Sequence, residues 1–530
     1  MSRMVAITLT AAALLAARPA LACGGFFCAQ TPINQAGEHI AFAVSDHHVK
    51  AVVQISYQGD AMKFAWVVPL PAEPTLSIGS PALFTFLDQR TQPTFQLDYS
   101  DNSCQSVFPG LAAPKAASAE DNTATGGGGV TVLSHAEVGP YDAAVLTATN
   151  SSALLQWLSD NSYDLTPAAD NALVPYIGSG YYFVALRLQQ DKGVGDLRPI
   201  TLDFDGDTPC IPIRLTAIAA QPNMPITAYV LASARAVPTN YRHVVLNESR
   251  IDWLNFGANY TAIATAAVNE AGGHAFLTEY AGTVRSATAS ARLYDGSLHP
   301  DRLAQLSDPV DFVLELQAEN FPQAGLLDML EHYVPEPAAL VAQGVSEQQF
   351  YSQIGSYREA IANDPNRAPF DATAFAHELD QSVVQPLVDA QAMLDQNHYL
   401  TRLFTTMSPN AMTLDPEFAF NSGLPDVSNI HHASASCDLF DTNNVHITLP
   451  DGTSFDVTRA GGPISQGPAA ARIEQLAATG APKVIKDNSK AIDDALGQLA
   501  GCTCTSVDPS ALLGLVGLLG ALRRRRRSVS

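Results

Sequence analysis

Asp203, Asp205 and Asp207 stand at alternate positions in Asp203-Phe204-Asp205-Gly206-Asp207. Carboxylates so spaced could aim oxygens at a calcium ion if the chain curled at Gly206, and Ca2+ is the one cofactor the sequence raises. Against it, Arg214 occupies the twelfth position, where a calcium-binding loop of that pattern supplies a bidentate Glu. An acidic turn between strands needs no metal, and it is the preferred reading. Glu270 and Glu279 are candidates for paired acid and base work. His47-His48 and His431-His432 are adjacent pairs whose side chains diverge on a strand, so neither pair by itself makes a two-ligand metal site. Trp66, Trp157 and Trp253 fall in separate elements and read as core anchors.

Motifs with a mechanical basis are mostly missing. None of the seven lysines follows a Gly or lies three residues after a Ser, which excludes a Walker-type phosphate loop and a Ser-x-x-Lys pair. There is no Gly-x-Ser-x-Gly elbow, and His377-Glu378 lacks the second His of a zinc helix. A catalytic triad assembled in space stays open, because triads are not contiguous in sequence.

The seven cysteines are Cys23, Cys28, Cys104, Cys210, Cys437, Cys502 and Cys504. In an oxidising compartment Cys23, Cys28, Cys104, Cys210 and Cys437 are disulfide candidates, and Cys23 with Cys28 would close a small loop over two glycines. Five cysteines cannot all pair, and the connectivity stays open.

The ends explain why export is expected. Arg3 precedes a thirteen-residue apolar run, Val5 to Ala17, and then Ala20-Leu21-Ala22, the small-x-small pattern cut by a signal peptidase after Ala22. That run is short of the roughly 20 residues that span a bilayer. A lipid on Cys23 is the alternative, although Ala20 stands where Leu is usual. At the other end Cys502 precedes Ala511 to Leu522 and then Arg523 to Arg527. The order of cysteine, apolar stretch and arginine cluster resembles the MYXO-CTERM sorting tag. It implies processing at Cys502 by envelope sorting machinery, with the membrane engaged through residues 505–527 and the arginines held on the cytoplasmic side.

The chain has 530 residues, is 47% hydrophobic and 15% charged, and carries a formal charge of −23. Between Cys23 and Cys502, 22 basic residues face 51 acidic ones, a charge near −29. Nucleic acid and anionic lipid are thereby poor partners for the body. Hydrophobic patterning predicts an α+β protein with mainly antiparallel sheets, helical segments and more than one subdomain. Strands are expected within Glu38 to Val68 and at Tyr181 to Leu188, Ile200 to Phe204, Ile211 to Ala217 and Ile226 to Ala232. Helices are expected at Ser151 to Asp160, Ala168 to Ile177, Tyr260 to Glu270, Ser346 to Ala362 and Ala372 to Thr406, the last broken at Pro386. Pro450-Asp451-Gly452 predicts a hairpin. The expected division is a signal peptide (1–22), a β-rich part (23–110), a Gly/Ala-rich linker (111–129), an α+β body (130–460), a stalk (461–501) and a sorting tail (502–530).

Several phrases together resemble the family called domain of unknown function 2330. They are Cys23-Gly24-Gly25-Phe26-Phe27-Cys28, Trp66-Val67-Val68-Pro69 and Val138-Gly139-Pro140-Tyr141-Asp142, then Tyr181 to Leu186, Asn269-Glu270-Ala271, Thr278 to Gly282 and Leu400 to Leu403. The resemblance implies bacterial export and carries no activity or catalytic residue. The expectation is an exported, envelope-anchored protein in a noncatalytic binding, assembly or structural role. The alternative is an envelope hydrolase with a spatially assembled, metal-assisted site.

Overall fold

The computed structural model describes residues 34–58, 65–99, 131–161, 163, 167–189, 197–289, 291–319, 326–437, 443–459 and 461–501. Its strands are β1 (Asn34–Ser45), β2 (His48–Gln58), β3 (Ala65–Leu70), β4 (Thr75–Ile78), β5 (Thr94–Tyr99), β6 (Thr131–Val138) and β7 (Tyr141–Thr147). Next come β8 (Tyr182–Leu188), β9 (Ile200–Asp205), β10 (Met224–Ala232), β11 (Arg235–Pro238), β12 (Arg242–Leu246), β13 (Ala275–Thr283) and β14 (Tyr399–Met407). The last are β15 (Phe418–Asn421), β16 (Ile430–Cys437), β17 (Asn444–Thr448), β18 (Ser454–Thr458), β19 (Ala470–Gln475) and β20 (Lys483–Asp487).

Ten of them form one sheet in the order β20-β19-β12-β13-β14-β10-β1-β2-β9-β4. Pairings β1–β10, β12–β13 and β5–β16 are parallel and the other ladders are antiparallel. The fold is α+β. Its first hairpin turns on Asp46 and His47, both at positive φ, the backbone that a two-residue loop needs to match the strand twist. Gly139, at φ +58°, turns β6 into β7, and a Cβ there would lie 2.4 Å from Ile78, so only glycine fits.

The molecule is layered because each β-face must be covered. One face of the large sheet packs on the four-stranded sheet β3-β8-β7-β6, and Ile40, Phe42, Trp66, Val145, Leu186 and Val230 interdigitate between them. Helices Ser151–Asp160 and Pro167–Gly178 cover the outer face of the smaller sheet through Leu154, Leu158 and Leu173. The opposite face of the large sheet is covered by helices Pro81–Thr91, Tyr260–Glu270 and Gln385–Gln396. A second four-stranded sheet, β18-β17-β16-β5, packs beside Tyr260–Glu270.

Between the neighbouring strands β13 and β14 the chain leaves the sheet for a helical insert. Val284 N–H donates to His398 O at 3.0 Å, so the insert begins and ends at one place. It has its own core, built around Phe312, Phe350, Phe375 and Leu379.

Four expectations need correction. Residues 23–110 and 130–460 are not separate bodies, because β1, β2 and β4 share one sheet with β9, β10 and β12 to β14. Residues 461–501 are not simply a stalk, since β19 pairs with β12 and β20 with β19. Ile211 to Ala217 holds a short helix, Ile213–Thr216, entered from Pro212. The helix expected to run to Thr406 passes through a π-turn at Asp380–Val384 and ends at Gln396, and Tyr399–Met407 is the strand β14. The signal segment, the linker 111–129 and the tail 502–530 lie outside the described residues. Among the described residues no helix is long and apolar enough to cross a membrane.

Candidate functional sites

The carboxylates singled out for calcium sit differently from a curled loop. Asp203 and Asp205 belong to the extended strand β9, where residues two apart share a face, and β2 lies antiparallel beside it with Lys50 opposite Asp203 and His48 opposite Asp205. Lys50 Nζ is 3.2 Å from Asp203 Oδ2, and His48 Nδ1 is 3.2 Å from Asp205 Oδ1. The second His48 nitrogen meets Asp203, and His47 meets Asp207. Burial is the largest single influence on His48 and works against its charge, but the hydrogen bonds and charges of Asp205 and Asp203 together outweigh it and raise its pKa. The carboxylates are met by Lys50 and His48 of β2 and by His47 of its turn. Among the described residues no group of three or more His, Cys, Asp or Glu is placed to hold a metal ion.

The acid–base candidates part company. Glu270 caps backbone: its oxygens accept from the N–H groups of Ala469 and Ala470 at 2.7 and 3.1 Å, fixing the start of β19. Glu279, 3% exposed, joins a buried ionic network. Register shifts between Thr278 and Tyr280, so Glu279 is the extra residue of a β-bulge, and it reaches Arg402 on the neighbouring strand β14. Arg402 Nε donates to Glu279, and its Nη1 donates to Asp88 Oδ1 and Tyr229 Oη, both at 2.7 Å. Tyr260 Oη donates to the other Glu279 oxygen at 2.5 Å, and Tyr229 Oη to Asp88 Oδ1 at 2.5 Å. Burial opposes the Arg402 charge, yet Glu279, Tyr229 and Asp88 together hold the guanidinium protonated above its ordinary range. The network ties three strands to two helices. Sequence reasoning picked Glu279 and missed Asp88 and Arg402 as its partners.

A second polar chain lies close by. Glu474 Oε2 is 3.2 Å from His243 Nδ1, and His243 Nε2 is 3.1 Å from Thr278 Oγ1. Hydrogen bonding from His243 holds the Glu474 carboxyl below its usual range, and burial depresses the His243 pKa. An ionised Glu474 accepts the Nδ1 proton, leaving Nε2 to accept from the threonine hydroxyl. Arg235 Nη2 donates to the same hydroxyl oxygen at 3.2 Å. This is the acid–histidine–hydroxyl arrangement that the sequence leaves open.

Two cavities differ in kind. Between the packed sheets a void of about 20 Å³, room for roughly one water, is lined by Glu38, Phe42, Trp66 and Cys210. Burial pushes the Glu38 carboxyl up to about 7 against a lowering hydrogen bond from Gln35, and pushes the Cys210 thiol upward. The other is a groove of about 440 Å³ in the helical insert, within the size range of small-molecule sites. Its walls include Pro309, Tyr333, Pro335, Glu336, Pro337, Arg367 and Pro369. The buried Oε1 of Glu336 has no hydrogen-bond partner among the described residues.

Of the disulfide candidates, Cys437 is disulfide-bonded and Cys210 is free. Cys23, Cys28 and Cys104 lie outside the described residues, as do Ala22 and Cys502. Trp66, Trp157 and Trp253 are all buried core residues, as expected.

No curated protein and no solved structure is detectably similar to the chain. A family model described as an uncharacterized protein conserved in bacteria, domain of unknown function 2330, matches residues 17–328. The match takes in the smaller sheet, strands β1, β2, β4, β9, β10, β12 and β13 of the large one with the bulged Glu279, and the first part of the helical insert, and it ends before β14, β19 and β20. It covers more than half of the sequence, and the chain is a member of the domain of unknown function 2330 family.

Proposed function

We propose that this protein is exported, retained at the cell envelope by its C-terminal segment, and works there by binding or assembly without turning over a substrate. The disulfide at Cys437 carries the compartment, because such bonds persist where thiols are not kept reduced. Ala20-Leu21-Ala22 before Cys23 supports passage across the inner membrane, and Cys502, the apolar run and Arg523 to Arg527 support capture by sorting machinery. The membrane partner is met through residues 505–527, and the acidic body is repelled by anionic lipid. The open groove of the helical insert supports a binding role. Deleting Ala511 to Ser530 releases a folded protein into the soluble fraction, and Cys502→Ala leaves a precursor that retains its arginines. A truncated protein that stays with membranes overturns tail anchoring and points to a lipid on Cys23.

The hydrolase reading is favoured by one observation, the Glu474–His243–Thr278 chain. A half-buried hydroxyl whose proton faces a neutral imidazole has the makings of a nucleophile. Under the binding reading, p-nitrophenyl acetate is hydrolysed at equal rates by the wild type and Thr278→Val. A wild-type rate that falls at least about tenfold in Thr278→Val, with the fold intact, favours the hydrolase.

A further inference from the structure

The groove of the helical insert has an unusual wall. Val334-Pro335-Glu336-Pro337 runs along one side, and Pro309 and Pro369 also line it. Proline has no N–H, so both peptide groups that would most naturally donate around Glu336, its own successor's and its predecessor's, are compromised at Pro335 and Pro337. The consequence is visible at Glu336, whose buried Oε1 accepts nothing. Burial pushes its carboxyl pKa upward, as a missing donor requires.

Each of the other two carboxylates of the groove has one oxygen engaged. Asp364 Oδ1 accepts from the Asn366 N–H at 3.0 Å, and Asp371 Oδ1 caps the helix Ala372–Leu379 through the Ala374 N–H at 2.9 Å. Tyr333, which also lines the groove, spends its hydroxyl on Glu378 at 2.9 Å and stacks its ring on Phe375. Arg367 and His332 also line this space of about 440 Å³, but among the described residues of its lining Glu336 Oε1 is the one side-chain atom that is both buried and without a hydrogen-bond partner, and it is an acceptor that carries negative charge when ionised.

We propose that this groove binds a small organic cation, an alkyl primary ammonium, whose N–H donors meet Glu336 while its carbon chain lies against the prolines and Tyr333. A divalent metal ion is a poor occupant, because it asks for several converging oxygen ligands and no group of three or more His, Cys, Asp or Glu is so placed among the described residues. An ammonium asks for one or two acceptors and tolerates apolar walls. The net charge of −23 raises the local concentration of such ligands. The inference rests on the binding reading of the body.

The test is isothermal titration of the full chain with three probes of one length: cadaverine, 1-pentanol and glutarate. Saturable binding of cadaverine is expected, with pentanol and glutarate at least about tenfold weaker, the scale of a hydrogen bond to a charged group. Glu336→Gln should weaken cadaverine by at least about tenfold, and Arg367→Ala, on the same groove, should not weaken it. Thermal melting of both variants checks that the insert is folded. If pentanol or glutarate binds as well as cadaverine, or if Glu336→Gln leaves cadaverine unchanged, the cation assignment is wrong while a binding groove survives. If none of the three binds, both the assignment and the groove's binding role fall.

Discussion

The large sheet and the helical insert each withdraw a glutamate oxygen from water, and they treat it in opposite ways. Around Glu279 the fold supplies the missing donors: Arg402 to one oxygen, Tyr260 to the other, with Asp88 and Tyr229 completing the guanidinium. Around Glu336 the fold supplies none, and proline-lined walls leave little main chain to do so. Glu38 falls between them, on the opposite face of the sheet from Arg402, with Gln35 Nε2 at 3.2 Å as its one side-chain donor among the described residues. Burial alone therefore does not mark a functional group. The useful question is whether the protein itself completes the group's hydrogen bonds. A completed network is framework, and an uncompleted one in the wall of a groove is where a ligand is sought.

The comparison breaks most readily at Arg402. Arg402→Met strands Glu279 as an unpaired charge in the core, and the expected loss in urea unfolding is about 3–5 kcal/mol. The double variant Arg402→Met with Glu279→Leu should recover part of that loss, because both charges are then gone. A smaller loss from the single change than from the double one means that the pair is not what holds these strands to the helix Pro81–Thr91.

Glu38 sharpens the comparison through pH. Its folded pKa is raised to about 7 from 4.5, so the folded state holds a proton the unfolded chain has released. The stability it contributes is full below pH 4.5 and is lost as pH rises to about 7, roughly 3 kcal/mol in all. Glu38→Gln should flatten that part of the stability–pH curve. An unchanged slope shows that Glu38 does not titrate in this window.

The smallest effect is expected on the exposed row beside β9. Asp205→Asn should change stability by less than about 1 kcal/mol, since the Asp205 side chain stands in solvent. Calcium added at millimolar concentration should leave the melting temperature unchanged. A rise in wild type that Asp203→Asn removes would restore the metal reading.

How much of this was legible in the sequence follows from the range of the physics involved. Helices Ser151–Asp160 and Tyr260–Glu270 were readable because apolar spacing and local chain signals are short-range. The hairpin at Pro450-Asp451-Gly452 was readable for the same reason. Residues 399–407 were not, because the apolar pattern of the preceding helix hides where it stops; two sheet neighbours, β13 and β10, claim the Thr-rich run, and β14 is central and buried. The partners of Glu279 were unreadable for a topological reason: Asp88 and Arg402 are 314 residues apart, and a bulge decides where Glu279 points. His48 and Asp203 were both noticed, yet their meeting depends on a ladder between strands that are separated by the whole of the smaller sheet. Glu336 carried only a local hint, its flanking prolines, and nothing in the sequence says that its oxygen is enclosed.

The central claim is that the fold completes Glu279 and leaves Glu336 open, and urea denaturation of Glu279→Gln and Glu336→Gln beside the wild type tests it most directly. Glu279→Gln is expected to lose about 3 kcal/mol, because an amide cannot accept from both Arg402 and Tyr260 or balance the guanidinium charge. Glu336→Gln is expected to be neutral or to gain up to about 1 kcal/mol, since it removes the charge from a side chain whose buried oxygen nothing satisfies. Equal losses in the two variants would contradict the account, for they would mean that Glu336 is as much a part of the framework as Glu279.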